Sequence, residues 1–406
     1  MKEEFVLSFW QYLNFGKYGA KESAEEWKKL GANIAYSYNF DPKTNKEEEM
    51  IDLLDECEKN GLKLIVVDRS LHWDYLIEYG EEVYEENVKR CVKAFGSHPA
   101  CYAFMLGDEP NKDKLEAAEK AVIILQRNTD KIAFINLYPI WNNSGQDYVN
   151  LMGCSVEEWE NVLDGFIKRS GLKILAYDCY SCMATKRKES GLHGYFNNLD
   201  FFTRVARRNN IPCWTSLLSM GHWGFKTPNL TDLRWQLATA IASGVQGIQW
   251  FEIYELNYHG DDYCENAIRN IRGEITPQFY NIRQVNYELL DRSLFKYFPH
   301  LEYKCSFHLG KPYGKYPYYF NGCWSNIKYF GNRYGVDAIL AVFVDKRNNS
   351  ECYLIVNNSL NEDDKDYFSI EFNDGLTTVN KSKWLPAGGF YFVPTKPLEE
   401  NKDSAK

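Results

Sequence analysis

Acidic residues stand directly behind several apolar runs of this 406-residue chain: Asp68 in LKLIVVDR, Asp108 and Glu109 in ACYAFMLGDEP, Asp178 in KILAYDCY and Glu252 in VQGIQWFEIYE. A carboxyl group at the end of an apolar strand sits where water access narrows. Loss of hydration disfavours the charged form and raises the pKa, which is what a general acid requires. Glu109 is therefore the leading candidate for proton transfer, with Asp108 beside it. Glu252, placed among Trp250, Phe251 and Tyr254, is the candidate second carboxylate. Asp178 and Asp68 are candidates for orienting substrate hydroxyls or assisting the proton transfer. All but Asp178 have a plainer alternative. Asp108 can cap the following helix while Glu109 pairs with a cation, Glu252 can be solvated in the acidic stretch YELNYHGDDY, and Asp68 can form an ion pair at a rim.

The elements that must position these groups are eight short runs rich in β-branched, aromatic and aliphatic residues. They are FVLSFWQYL from residue 5, GANIAYSY from 31, LKLIVVD from 62, ACYAFML from 100, IAFINLY from 132, KILAYDCY from 173, IPCWTSLLS from 211 and VQGIQWFEI from 245. Each interval is roomy enough for a strand, a helix and two loops. Segments such as AEEWKKLG and TDLRWQLATAIASG carry apolar residues at helical spacing and end in the Gly that favours a helix C-terminus. Eight near-equal βα units predict an α/β protein, a closed (β/α)8 TIM barrel over residues 1–295, with its active site at the C-terminal ends of the strands. An open doubly wound sheet is the alternative, but the first junction, YLNFGKYG, has no GxGxxG fingerprint. After residue 295 the pattern changes to short alternating strands (DAILAVFVD, ECYLIVNNS, DYFSIEF, GGFYFVP), which predicts a smaller C-terminal all-β sandwich over 296–396. Residues 397–406 read as a polar, frayed tail.

Aromatic residues make up 16% of the chain, and they crowd the same predicted barrel end: Trp10 and Tyr12, Tyr38, Tyr138 and Trp141, Tyr180, Trp223 and Trp250. Together they suggest a cleft that stacks on the flat faces of sugars, in which Asp108, Asp68 and His222 would hold hydroxyls. The end of the seventh run, Ser216–Leu217–Leu218–Ser219–Met220–Gly221–His222–Trp223, offers no carboxylate.

Other functions are disfavoured. A formal charge of −9 without a basic stripe argues against a nucleic-acid partner. His72 and His222 lack the HxH or HExxH spacing of metal ligands, and no P-loop or G-x-S-x-G motif is present, so neither a metal nor another cofactor is expected. Eleven irregularly spaced cysteines read as reduced thiols, with the CxxC spacing of Cys179 and Cys182 a coincidence. The acidic start MKEEFVLSFW lacks the features of a secretory signal, and no apolar run approaches the ~20 residues of a membrane span. These features predict a cytoplasmic protein with no membrane partner.

HPACYAFMLGDEP resembles the strand-four signature of clan A glycoside hydrolases, in which a polar residue precedes the acid/base Glu; Asp108 stands where that residue is usually Asn. IPCWTSLLSMGHW, LRWQLATAIASGVQGIQWFEIY and GEITPQFYNIRQVNYELLDRS are similar to bacterial barrel glycosidases related to family 42 β-galactosidases. The resemblance covers most of the chain. It implies a (β/α)8 catalytic domain, a C-terminal β-sandwich, no cofactor, a carbohydrate substrate, and hydrolysis in which Glu109 protonates the glycosidic oxygen. It also exposes a departure, because retaining enzymes of the clan carry their nucleophilic Glu at strand seven, where this chain has Ser and Leu. Three outcomes follow, taken in this order: Glu252 fills the role, Asp178 serves with a water in an inverting reaction, or hydrolysis has been lost. The sequence thus predicts a glycosidase of small glycosides or oligosaccharides, with a carbohydrate-binding barrel without turnover as the rival. The β appendage could bind polysaccharide, cover the barrel mouth or build the interface of a homo-oligomer.

Overall fold

Each of the eight apolar runs forms a strand in the computed structural model, which describes residues 4–140, 145–186, 189–256, 266–291 and 293–396. The strands are β1 (Val6–Phe9), β2 (Ile34–Tyr36), β3 (Lys63–Val66), β4 (Cys101–Asp108), β5 (Ile132–Leu137), β6 (Leu175–Asp178), β7 (Cys213–Leu218) and β8 (Gly247–Phe251). They form one sheet in the order β1-β8-β7-β6-β5-β4-β3-β2, all pairs parallel. The remaining seam is bridged by Asn33, whose N–H donates to Leu7 O at 3.0 Å and whose Oδ1 accepts from Leu7 N at 2.9 Å. The sheet therefore closes into a (β/α)8 barrel, as predicted.

Strands covered on both faces read as continuous apolar runs, and every residue of β1, β7 and β8 is buried. Side chains from four strands meet across the interior. Gln249 Nε2 donates to Tyr36 Oη at 2.8 Å, the Tyr36 ring lies 5.9 Å from Phe134, and Phe134 lies 5.5 Å from Trp214. Helices follow the strands, among them Ala20–Leu30, Glu47–Lys59, Trp73–Cys91, Leu115–Asn128, Val156–Ser170 and Glu189–Arg208. The first stops at Gly31, whose φ of 92° is open to glycine and whose N–H returns to the last turn. No described helix is long and apolar enough to cross a membrane.

By their contacts, Val6–Asn229 and Val245–Tyr287 make one unit, and Leu230–Gly244 joins the N-terminal residues and the chain from Glu288 onward in another. The second unit contains β9 (Leu301–Leu309), β10 (Ile327–Asn332), β11 (Ala338–Asp345), β12 (Ser350–Asn357), β13 (Asp366–Asn373), β14 (Thr378–Leu385) and β15 (Phe390–Pro394). These form two antiparallel sheets, β15-β12-β11-β9 and β10-β13-β14, the β-sandwich expected after the barrel. Its core includes Phe307, Leu340, Val342, Ile355, Phe368, Ile370 and Phe372. In β13 buried and partly exposed residues alternate along the strand, the period of a sheet with one wet face. Within the same unit, Trp235 of the helix Leu230–Ala242 donates from Nε1 to Asn358 Oδ1 at 2.8 Å. The ten described cysteines are free thiols.

Candidate active site

The C-terminal ends of the barrel strands enclose a cavity of about 600 Å³. Trp10 and Tyr12 follow β1, Asp108 and Glu109 end β4, and Asn136 and Tyr138 come from β5. Asp178 and Tyr180 end β6, Ser216 belongs to β7, His222 and Trp223 to the loop after it, and Phe251 closes β8.

Consecutive residues of a regular strand point to opposite faces, yet Asp108 and Glu109 both line this cavity. The backbone explains it. The register between β4 and β5 shifts between Met105 and Asp108, Gly107 has φ +141°, and Glu109 has φ 46° while its N–H donates to Asn136 O at 2.9 Å. This is a bulge-like irregularity that turns neighbouring side chains to one side. It depends on glycine, since a Cβ on Gly107 would lie 2.1 Å from Trp73 Nε1 and 2.8 Å from His72 Nε2. Gly107→Ala is therefore expected to displace Trp73 or the strand end. Stability should fall by roughly 1–3 kcal/mol, the usual cost of overpacking, and any activity of the cavity should fall with it; denaturant unfolding measures the first, and a stability equal to wild type would contradict the tight approach.

Three carboxyl groups share this wall. Asn136 directs its Nδ2 to Asp108 Oδ1 at 2.9 Å and to Asp178 Oδ1 at 2.7 Å, so one side-chain amide clamps carboxylates from two strands. Glu109 and Asp178 are hydrogen-bonded to each other. Burial, then the negative charges of Asp178 and Asp108, push Glu109 well above the usual carboxylate range. Burial, and then the charge of Asp108, also raise Asp178. Burial pushes Asp108 up to about 6 against the opposing Asn136 hydrogen bond. Like charges this close do not all ionise together, so the trio retains a proton where isolated carboxyls have lost theirs, and Glu109 holds it most tightly. Burial and the same three acids push the Tyr138 hydroxyl up to about 12.

Much of the rest of the lining is aromatic. Tyr180 stacks on Phe251 with centroids 5.3 Å apart, and His222 lies 5.8 Å from Tyr180 and 5.2 Å from both Phe251 and Trp223. Trp10 packs 6.4 Å from Phe251. Trp223 is 66% exposed, an indole presented at the rim. An acid cluster and ring surfaces lining one cavity are an arrangement that can hold a hydroxyl-rich molecule with apolar faces and deliver a proton to it.

Of the residues singled out in the sequence, the structure brings together Glu109, Asp178, Asp108, Trp10, Tyr180, His222 and Trp223. Four others lie elsewhere. Asp68 borders a different, wider recess of about 1020 Å³, and its carboxylate is taken by Ser70 N and Oγ at 2.9 and 2.7 Å and by Arg90 at 2.6 Å. Tyr38 is buried with its hydroxyl 2.6 Å from Ser23 Oγ. Trp250 is buried and donates from Nε1 to Asn286 Oδ1 at 2.9 Å. Glu252 is fully buried, lies outside the cavity lining, and has no hydrogen-bond partner for either carboxylate oxygen among the described residues. Trp141 falls outside the described residues, as does the acidic stretch after β8 from residue 257. Asn136 was not anticipated; its signal was a lone amide in the otherwise apolar run IAFINLY.

Burial alone raises Glu252 well above its ordinary value of 4.5, so it is held protonated. The folded protein then binds a proton that the unfolded chain releases, and stability falls as pH rises from that ordinary value towards the folded one. Glu252→Gln removes this dependence. In urea unfolding, the variant is expected to lose less stability than wild type between ~pH 5 and ~pH 8. Equal losses would show that Glu252 is ionised in the folded protein.

Solved structures share this fold. A β-galactosidase from the psychrophilic Marinomonas ef1 aligns over 73% of this chain and 62% of its own, with 12% identity and a TM-score of 0.55. A β-galactosidase from Rahnella sp. R3 aligns over 74% and 58%, with 11% identity and a TM-score of 0.52. GH5_18 from Streptomyces cattleya, solved in complex with GlcNAc, aligns over 72% and 82%, with 11% identity and a TM-score of 0.50. The chain covers less than two thirds of the length of either β-galactosidase. No protein-family model matches the sequence, and no curated protein does.

Proposed function

We propose that this chain is a glycosidase that hydrolyses O-glycosyl bonds of small glycosides or oligosaccharides, with Glu109 as general acid/base. One observation carries the reading: Glu109 is turned into an aromatic-walled cavity at the C-terminal end of β4, hydrogen-bonded to Asp178 and raised by burial and two neighbouring acids. Such a group keeps its proton until an oxygen with developing negative charge takes it. The folds it shares with two β-galactosidases and with a GH5_18 protein holding GlcNAc support a carbohydrate substrate. In this reading Asp108 binds hydroxyls, and Trp10, Tyr180, Trp223 and Phe251 pack against the sugar ring.

A second reading, carbohydrate binding without turnover, is favoured by a different observation. Among the described residues, the acids lining the cavity come from the ends of β4 and β6, while Glu252, the residue after β8, lies outside it. Two assays on one panel separate the readings. Wild-type protein is offered 4-nitrophenyl glycosides and disaccharides, and both nitrophenol or monosaccharide release and the shift in Tm are recorded. Release supports the hydrolase. A raised Tm without release supports the binding protein, because a ligand that binds the folded state stabilises it whether or not it is cleaved.

A further inference from the structure

Among the described residues, the lining acids of the cavity are Asp108, Glu109 and Asp178, at the ends of two strands. Attack at an anomeric carbon by an enzyme carboxylate needs the two carboxyls ~5 to 5.5 Å apart, and attack by an activated water needs ~6.5 to 9.5 Å. Glu109 and Asp178 are closer than either, since they share a direct hydrogen bond. Asn136 Nδ2 also ties Asp178 to the Asp108 side of the cavity, at 2.7 and 2.9 Å. Asp178 therefore stands beside the acid and not across a sugar ring from it. What such a neighbour can do is accept a hydrogen bond from the substrate close to the bond being broken. A second acceptor lies on the same wall: Asn136 is 3% exposed, and its Oδ1 is buried with no partner among the described residues.

Hydrolysis with one enzyme acid is chemically complete when the substrate brings its own nucleophile, as in the substrate-assisted glycosidases. We propose that the substrates are 1,2-trans 2-acetamido-2-deoxy glycosides, whose acetamido oxygen attacks C1 while Asp178 holds the acetamido N–H. This rests on the hydrolase reading above and specifies its substrate class. In the first step a lone pair of the acetamido oxygen forms the O–C1 bond. The glycosidic C1–O bond breaks, its electron pair stays on the leaving oxygen, and that oxygen takes the proton of Glu109. The acetamido N–H proton passes to the carboxylate of Asp178, leaving a neutral oxazoline. In the second step water attacks C1 and gives its proton to Glu109. The oxazoline C1–O bond breaks, Asp178 returns the proton to nitrogen, and the sugar is released with its anomeric configuration retained.

The test compares 4-nitrophenyl 2-acetamido-2-deoxy-β-glucoside and -β-galactoside with the 2-hydroxy β-glucoside and β-galactoside, the α-anomers of the acetamido sugars, and N-trifluoroacetyl analogues whose carbonyl oxygen is a weaker nucleophile. The β-acetamido substrates are expected to be cleaved at least about 100-fold faster than the 2-hydroxy sugars, the scale of one well-placed catalytic group. The α-anomers should resist cleavage, and trifluoroacetylation should slow it. Equal rates on 2-hydroxy sugars, or no effect of trifluoroacetylation, would overturn the inference while leaving the hydrolase reading standing. Absence of cleavage of every glycoside would sink both. Proton NMR of the first product adds an independent check, since an inverted anomer also overturns the proposal.

Discussion

Replacing Glu109 with Gln is expected to lower kcat on glycosides with poor leaving groups by about 10²- to 10⁴-fold, the contribution of a positioned acid, with little change in fold or substrate affinity. Gln keeps the shape of the side chain and can still hydrogen-bond to Asp178, but it has no ionisable proton to give. The defect should shrink as the leaving group improves, because a 2,4-dinitrophenolate departs without protonation while an alcohol does not. A plot of log kcat/KM against leaving-group pKa should therefore be shallow for wild type and steep for the variant. Parallel plots would place the lost interaction elsewhere than on the leaving oxygen.

Asp178→Asn should have the second largest effect, and its signature is a pH profile. Glu109 works as an acid only while protonated, so kcat/KM falls as pH rises through its pKa. Burial is the largest cause of that raised pKa and the charge of Asp178 the next. Removing the Asp178 charge lets Glu109 ionise at lower pH, and the alkaline limb is expected to move to lower pH by about one unit or more, the scale of a like charge at close range. A limb that stays in place in Asp178→Asn would mean that the two groups do not communicate, whatever the loss in rate.

The barrel was legible in the sequence because buried parallel strands are apolar along most of their length; seven of the eight runs contain their strand, and the fourth stops two residues before the end of β4. The sandwich was half legible. The runs behind β11, β12, β13 and β15 stand out, whereas β14, TVNKSKWL, is exposed along almost all its length and carries no apolar face to read. Among site residues, the decisive information was rotation about each strand. Neighbours on a regular strand point to opposite faces; at the end of β8, Phe251 lines the cavity and Glu252, the residue after the strand, does not. On β4, Asp108 and Glu109 both do, because the Gly107 bulge breaks that alternation. Two acids behind two apolar runs look alike in sequence and differ by a backbone irregularity. Asp68 shows a further limit, since its partner Arg90 lies 22 residues along the chain, in a helix whose facing residues the sequence does not reveal. Conversely, Asn136, an amide within β5 that the sequence reading passed over, is the group that joins Asp108 to Asp178.

The proposed catalysis requires Glu109 to carry a proton at neutral pH. The measurement that reads this most directly is a pH titration of the protein labelled with ¹³C at the Glu side-chain carboxyls, in wild type and in Glu109→Gln. Expected is a carboxyl resonance still in its protonated form at neutral pH that vanishes in Glu109→Gln and survives in Glu252→Gln. A Glu109 resonance that titrates near the ordinary glutamate value of ~4.3 would contradict it.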